Sequence, residues 1–560
     1  MKKEIITIAL LFIGGLTRSQ NFDWAIANGG ESYQTTYDIV INEDGSTLST
    51  GTFYGDIDVD PGDDELIFAA SGGENGENIY IQKLDEKGGL LWAKQITGNV
   101  YSPSISIDQS GNIFLSATFS IYTLDADPGE AEYILTPTGR DGLILKLNSE
   151  GEFIWAKQIG GDDNQSATRI VTDNNGNVVI AGNFRGTADF NPNQATYDLT
   201  SNGNYDNYLL KLDENGNFIW AISYGGNDWE YTYDLLLDSN DEIVVSGYFT
   251  NSVDFDSGEG THEVNSTNTG QPDAFILKLN KNGNFQWVTQ FTNVENEAGY
   301  YITIDEADNV YTAGNFYGTV TYGEHELTAR GDVDIILIKL SSNGELVWAH
   351  SMGGYSWDSA YGIASDKSGS VYTTGLYAEI VDMDPGEGTY NLSSVDGSDD
   401  IFVQKMTTSG EFVWAISVGS DGFDWGTTID VSTNGDVFVG GSFRGTVDFN
   451  FSEDQFEITS VHQDDAFLLK LIDPRPLGAD KKIDEITLFP IPATDKLNIR
   501  SGNFSIANAT LLSLTGNVIH SWILNGETEM EIPENVPSGT YLLQLTDKQG
   551  NQSIYRFQKN

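Results

Sequence analysis

The sequence predicts an all-β protein: a seven-bladed β-propeller of four-stranded blades closed by an N-terminal strand, followed by a small C-terminal β-sandwich. Three observations predict it. Tryptophans recur at Trp24, Trp92, Trp155, Trp220, Trp287, Trp348 and Trp414, roughly every 65 residues. A lysine inside an apolar run recurs independently at Lys83, Lys146, Lys211, Lys278, Lys339, Lys405 and Lys470. Each unit so marked carries four strand signals, except the last, whose fourth signal stands at the other end of the chain.

In chain order, residues 1–19 come first. Lys2 and Lys3 precede an apolar run from Ile5 to Leu16, with small residues at Thr17 and Ser19, which is the layout of a signal peptide cleaved near Ser19. No later stretch reaches the ~18 apolar residues of a spanning helix, so the exported protein is expected not to be integral to a membrane. Residues 20–472 hold the repeats. The unit around 170–222 reads ATRIVTD, NVVIAGNF, NYLLKLD and FIWAISYGG, here strands a to d. Strands a and b are joined by Asp173–Gly176, and c and d by Asp213–Gly216. Asp bonds the backbone two residues on and Gly takes the left-handed conformation, so both are hairpin turns. Equivalent turns stand at Asp108–Gly111, Asp366–Gly369, Asn282–Gly283 and Asn343–Gly344.

Sheets that are apolar on both faces bury them only against one another, and a closed ring leaves no unit uncapped. The last unit supplies TTIDVST, DVFVGGSF and DAFLLKL, then no tryptophan strand after Leu471. FDWAIANGG around Trp24 fills that place, so both ends of the repeat region complete one blade. What occurs in all seven blades serves the fold. That assigns the lysines to pairing with a strand Asp or laying their stems over the sheet, and the tryptophans to anchoring between blades.

Residues 473–485, with two prolines nearby and mixed charge, read as a linker. Residues 486–560 carry the strand signals ITLFPIPA, KLNIR, ATLLSLTG, VIHSWIL, EMEIP, TYLLQLTD and SIYRFQK, which suit a compact sandwich. Within them LFPIPATDKLNI (Leu488–Ile499), LLSLTGNVI (Leu511–Ile519) and VPSGTYLLQL (Val536–Leu545) resemble, in order and spacing, the C-terminal sorting domain of the type IX secretion system. Ile491 departs from the family, which commonly has Asn before the Pro. The resemblance implies a tail, often removed, that engages the type IX machinery through residues 486–560. Such a tail carries folded cargo across the outer membrane of a Bacteroidetes-type bacterium to the surface or beyond. The repeats likewise look like those of large secreted bacterial propeller proteins.

Composition excludes several functions. With 83 acidic against 28 basic residues the net charge is −55, and the basic stripes that nucleic-acid binding requires are absent. Without cysteine there are no disulfides, thiolate nucleophiles or cysteine-type zinc sites. His262, His325, His350, His462 and His520 are scattered without metal-ligand spacing, and neither HExxH nor GxSxG occurs. No catalytic, cofactor-binding or metal residue is assigned.

Strands alternate in direction, so the b-to-c loops and the d-to-a crossings are expected on one face of the disc, with the tight turns on the other. Binding residues are usually found on such loops over a rigid scaffold. The b-to-c loops carry Asp58–Glu65, Asp125–Glu130, Asp254–Glu259 and Asp382–Glu387, with weaker copies at Asp189–Asn193 and Asp448–Asp454. Asp-x-Asp-Pro-Gly makes good turns, the reading adopted; calcium on converging carboxylates is the alternative, although the EF-hand pattern is not met. The crossings carry the non-repeated aromatics Tyr33, Trp229, Tyr355, Trp357, Phe423 and Trp425, which either present faces to a ligand or fill gaps between blades. Two functions remain: a non-enzymatic binding or adhesion module for a glycan or protein, and a carbohydrate-active hydrolase or lyase with carboxylates in the central funnel.

Overall fold

The computed structural model describes residues 21–472, apart from 43, 63, 72–75, 292–300, 323–324 and 452–453. In the C-terminal part it describes 486–489, 496–501, 506–512, 518–524, 529–533, 536–537, 539–547 and 552–559. The expected signal peptide and linker lie outside the described residues. Residues 21–472 form one compact unit and the C-terminal part another.

The first unit is seven four-stranded antiparallel sheets, each in the order a-b-c-d. In blade one these are Gln34–Ile41, Thr47–Phe53, Asn78–Leu84 and Leu90–Ile96; in blade four, Glu230–Leu237, Ile243–Thr250, Pro272–Leu279 and Phe285–Phe291. Blade seven takes a, b and c from Trp425–Val431, Val437–Phe443 and Asp465–Ile472, and its strand d is Asn21–Asn28. That strand pairs with the last from Asn21 opposite Ile472 to Asn28 opposite Ala466, with Trp24 opposite Lys470. Every other blade sets the same lysine opposite the same tryptophan, as in Lys83 and Trp92 or Lys278 and Trp287. Strand b is buried throughout in blades one, two, three, five, six and seven. Its near-continuous apolar sequence follows from packing on both faces.

The lysine and tryptophan do more than fill space. Lys146 Nζ and Trp155 Nε1 both donate to the Glu214 carbonyl in the c–d turn of the next blade, at 2.9 and 3.2 Å. Lys339 and Trp348 do the same to Thr408, and Lys470 and Trp24 to Glu86 across the closing junction. The same lysines pair with the Asp of their own a–b turn, closest at Lys278–Asp238 (2.7 Å) and Lys211–Asp173 (2.9 Å). The expected pairing with an aspartate is therefore present, in the turn rather than in a strand, beside a bond to the next blade that the sequence reading did not include.

Strand a carries a β-bulge in at least five blades, between Thr36 and Asp38, Ala167 and Arg169, Thr232 and Asp234, Ala360 and Gly362, and Gly426 and Thr428. The bulge brings a strand a carbonyl hard against a strand b glycine: Thr35 on Gly51, Ser166 on Gly182, Tyr231 on Gly247, Ser359 on Gly375 and Trp425 on Gly441. A Cβ at any of these would collide with that oxygen. Here glycine is required for close approach rather than for a turn.

The b-to-c connections are not plain loops. Each is a two-stranded hairpin, such as Thr187–Asp189 with Asp198–Thr200, or Thr446–Asp448 with Glu457–Thr459. Hairpins pair with the end of strand d in the preceding blade, as Gly160 and Gly161 do with Asp189 and Ala188. Their tips run down the outer rim over strand d. Tyr197 packs on Phe218, Tyr390 on Phe412 and Phe456 on Phe22, all at 4.9 Å, and Asn193 donates to the Gly216 carbonyl of the c–d turn. This corrects the expected placement of the acidic turns. They lie on the rim, because strand d is an edge strand whose exposed flank the hairpin covers.

Among the described residues the C-terminal unit has seven strands in two sheets. One holds Ile486–Phe489, Lys496–Ser501 and Glu529–Glu531; the other holds Ile506–Leu512, Val518–Ile523, Gly539–Asp547 and Gln552–Lys559. Leu497 and Met530 of the first sheet pack with Ala509, Leu511, Leu543 and Leu545 of the second, which makes the expected sandwich.

Candidate functional site

The acidic rim turns use their oxygens internally. Asp189 Oδ1 accepts the backbone N–H of Asn191 and Tyr197 at 2.9 Å, and Asp58, Asp125, Asp254, Asp382 and Asp448 repeat the pattern. The residue between the two turn-forming Asp or Asn side chains, namely Val59, Ala126, Phe190, Phe255, Met383 or Phe449, is fully buried. The alternation is therefore an apolar anchor flanked by two turn-forming Asp or Asn side chains, and among the described residues no cluster of three or more ligating side chains could hold a metal ion.

On the loop face a buried acid recurs that the sequence reading missed. Asp141, Asp206, Asp273, Asp334, Asp400 and Asp465, with Asn78 in blade one, open strand c and accept backbone N–H groups from the returning hairpin. Each stands five residues before the repeated lysine, so the signal was present in the same spacing that revealed the blades. A second set opens strand a: Glu230, Asp358 and Asp424 accept the N–H of Gly226, Gly354 and Ser420. Burial raises Glu230 to about 8, Asp358 and Asp400 to about 7, and Asp206, Asp424 and Asp465 to about 6.

Strand a lines the central channel. There Asp38 Oδ2 accepts Ser104 Oγ and the Ile105 N–H of the next blade, each at 2.9 Å. Asp234 takes Ile302 N–H and Arg169, and Asp430 takes Ile41 N–H across the closing junction. Burial, reinforced by Asp38, pushes Asp430 up to about 7. These carboxyls tie neighbouring blades together, and a cavity of about 350 Å³ lies among them.

The crossing aromatics are exposed. Tyr33, Trp229, Trp357 and Phe423 are 43 to 54 % accessible and Tyr355 is 86 %. Gap-filling side chains would be buried. They are also less irregular than the sequence suggested. Tyr33, Trp229, Trp357 and Phe423 each lie three residues before the residue that faces the strand b glycine, so they occupy one equivalent position in blades one, four, six and seven. Asn164 holds that position in blade three, so the ring does not require an aromatic there. Beside Trp229 lies a cavity of about 380 Å³, built from blades two, three and four and walled by Tyr101, Tyr205, Tyr231 and Tyr248 with Arg140. Tyr205 stacks on Trp229 at 5.1 Å, and Tyr231 on Tyr248 at 5.9 Å.

Residues 487–558 match the family model described as the secretion system C-terminal sorting domain. An uncharacterized WD repeat-containing protein of Acanthamoeba polyphaga mimivirus is 21% identical over 515 residues, covering 77% of this chain and 36% of that protein. The regulatory protein FlaEY of Caulobacter vibrioides is 22% identical over 386 residues, 64% of this chain and 36% of its own. The chain thus spans about a third of the length of these curated relatives. Among solved structures, a protein of unknown function from Bacteroides caccae covers 59% of this chain and 93% of its own, at 10% identity and TM-score 0.29. The Neurospora crassa Pan2 WD40 domain covers 64% and 92%, at 11% and 0.30. Among the described residues no helix is long and apolar enough to cross a membrane. The chain is a β-propeller protein with a type IX secretion C-terminal sorting domain, which sends it to the cell surface or the extracellular space.

Proposed function

We propose that the propeller is a non-enzymatic binding or adhesion module, with residues 20–472 as the working domain and 486–560 as its passport through the type IX machinery. The ligand is a glycan or a protein, and nucleic acid is not a partner. One observation carries this reading: four exposed aromatics stand at one equivalent position on the loop face, where the ring does not need them. Stiff, amphipathic rings presented on a rigid scaffold are the usual anchors of a binding surface. The channel carboxyls that a hydrolase or lyase would use are already engaged in blade-to-blade hydrogen bonds.

A glycan and protein array probed with the full secreted chain, run beside a reducing-sugar assay, tests the reading. Binding without turnover is expected. Turnover that Asp38→Asn or Asp430→Asn abolishes would overturn it in favour of the hydrolase or lyase.

A further inference from the structure

We propose that the cavity between blades two, three and four is a site for an acidic saccharide, with the sugar's carboxylate on Arg140 and a ring face against Trp229. The inference rests on the binding-module reading and locates one site within it.

Arg140 is the first reason. Of the five arginines in the propeller, Arg169, Arg185, Arg330 and Arg444 lie within 3.4 Å of a carboxylate oxygen, on Asp234, Asp163, Asp382 and Asp464 respectively. Arg140 has no such partner among the described residues, although acids outnumber bases in the chain by 83 to 28. Its guanidinium lies 5.6 Å from the Tyr101 ring centroid, exposed at the cavity. A guanidinium held on an aromatic face keeps N–H donors available in the planar fork that matches a carboxylate.

The cavity walls give the second reason. The Tyr205–Trp229 stack leaves Trp229 half exposed, and the stacked Tyr231 and Tyr248 add two further rings. At about 380 Å³ the space lies within the ~300–1,000 Å³ typical of small-ligand sites. Glu230, which also lines it, is raised to about 8 by burial, so at neutral pH it adds little charge to oppose an anion.

An acidic peptide bound as an added strand would need a free strand edge. Here that edge is closed: the Tyr205 and Trp229 segments pair as a parallel bridge, with Glu230 N–H on the Tyr205 carbonyl and Tyr205 N–H on the Asp228 carbonyl. A ring-faced ligand suits the walls better than an extended chain.

The test is calorimetry of the full secreted chain with carboxylated oligosaccharides (uronate trimers and sialylated trisaccharides), their methyl esters, and polyglutamate. At least one carboxylated sugar should bind more tightly than its ester, by about tenfold or more. Arg140→Gln should abolish that difference while leaving the melting temperature unchanged. Trp229→Ala should weaken binding about 30-fold, and Trp229→Phe should restore most of it. Polyglutamate binding that Arg140→Gln abolishes, with no sugar bound, would overturn the saccharide assignment. Sugar binding indifferent to both Arg140 and Trp229 would overturn the site while leaving the module reading intact. Absence of any carboxylated-sugar binding overturns the site as well, and the array of the preceding section reports separately on the module.

Discussion

The two faces of the propeller contain the same group, a buried carboxyl, with its pKa shifted in opposite directions. On the turn face, burial of Asp173, Asp238 and Asp305 raises their pKa values. Lys211 and Lys278 for the first two, the Asn309 side chain and then Tyr311 for the third, and the turn N–H groups more than offset this, and hold all three below the usual carboxylate range. On the loop face, Asp206, Glu230, Asp358, Asp400, Asp424 and Asp465 are buried with backbone N–H donors but no lysine, and burial pushes them up to between about 6 and about 8. These three carboxyls are thus held ionised, and in blades two, five and seven the repeated lysine reaches both an aspartate and the carbonyl of the next blade's turn. Loop-face carboxyls serve as acceptors for the hairpins and crossings, and leave the aromatic positions beside them free to vary. A repeat that secures the ring at one face is what permits specialisation at the other.

Removal of the closing strand breaks the turn-face arrangement most severely. Deleting Asn21–Asn28 exposes strand c of blade seven along its length and removes the buried Trp24, Ala25 and Ile26. A loss of about 5 kcal/mol or more is expected, comparable with the whole stability of a domain, so chemical melts should show no native baseline.

Gly441→Ala comes next. Its Cβ would meet the Trp425 carbonyl across the bulge, and a destabilisation of about 3 kcal/mol is expected in urea melts. An unchanged midpoint would mean that the bulge relaxes freely. Lys278→Met leaves Asp238 buried without its 2.7 Å partner and should cost about 3 kcal/mol, whereas adding Asp238→Leu should recover most of that loss.

The smallest effect is the pH profile, which sets the two faces against each other. The turn-face acids have folded pKa values below their unfolded ones. Their stabilisation is present above about pH 4 and is lost as pH falls through the folded values. The loop-face acids have raised folded values, so they are neutral in both states only below the unfolded value of about 4. Stability then declines as pH rises from about 4, and the decline is complete once pH has passed the folded values of about 6 to 8. Urea melts across this range should place maximum stability near about pH 4, with a fall on either side. A steady gain from pH 5 to 8 would show that the loop-face carboxyls are ionised in the folded protein.

Much of this was legible in the sequence, because a ring repeats its constraints. The seven tryptophans, seven lysines and D-x-x-G turns gave blade number, strand order and closure. The rim hairpins were hidden because two or three residues per strand carry no periodicity, and their anchors, such as Phe255 or Met383, read as incidental between two acids. Asp206 and its equivalents sat at a constant offset from the lysine, but a single acid in an acidic chain does not stand out. The cavity at Trp229 was beyond reach, since Tyr101, Arg140, Tyr205 and Tyr248 come from three blades at no shared spacing.

The most direct measurement of the division between the faces is a fourfold variant, Tyr33→Ala, Trp229→Ala, Trp357→Ala and Phe423→Ala, compared with the wild type by thermal melting and by ligand array. The four residues are substantially exposed and lie at a position the ring does not need. A melting temperature close to that of the wild type, with array binding lost, is the predicted result. Retained binding, or collapse of the fold, would contradict the claim that the turn face holds the ring while the loop face does the recognising.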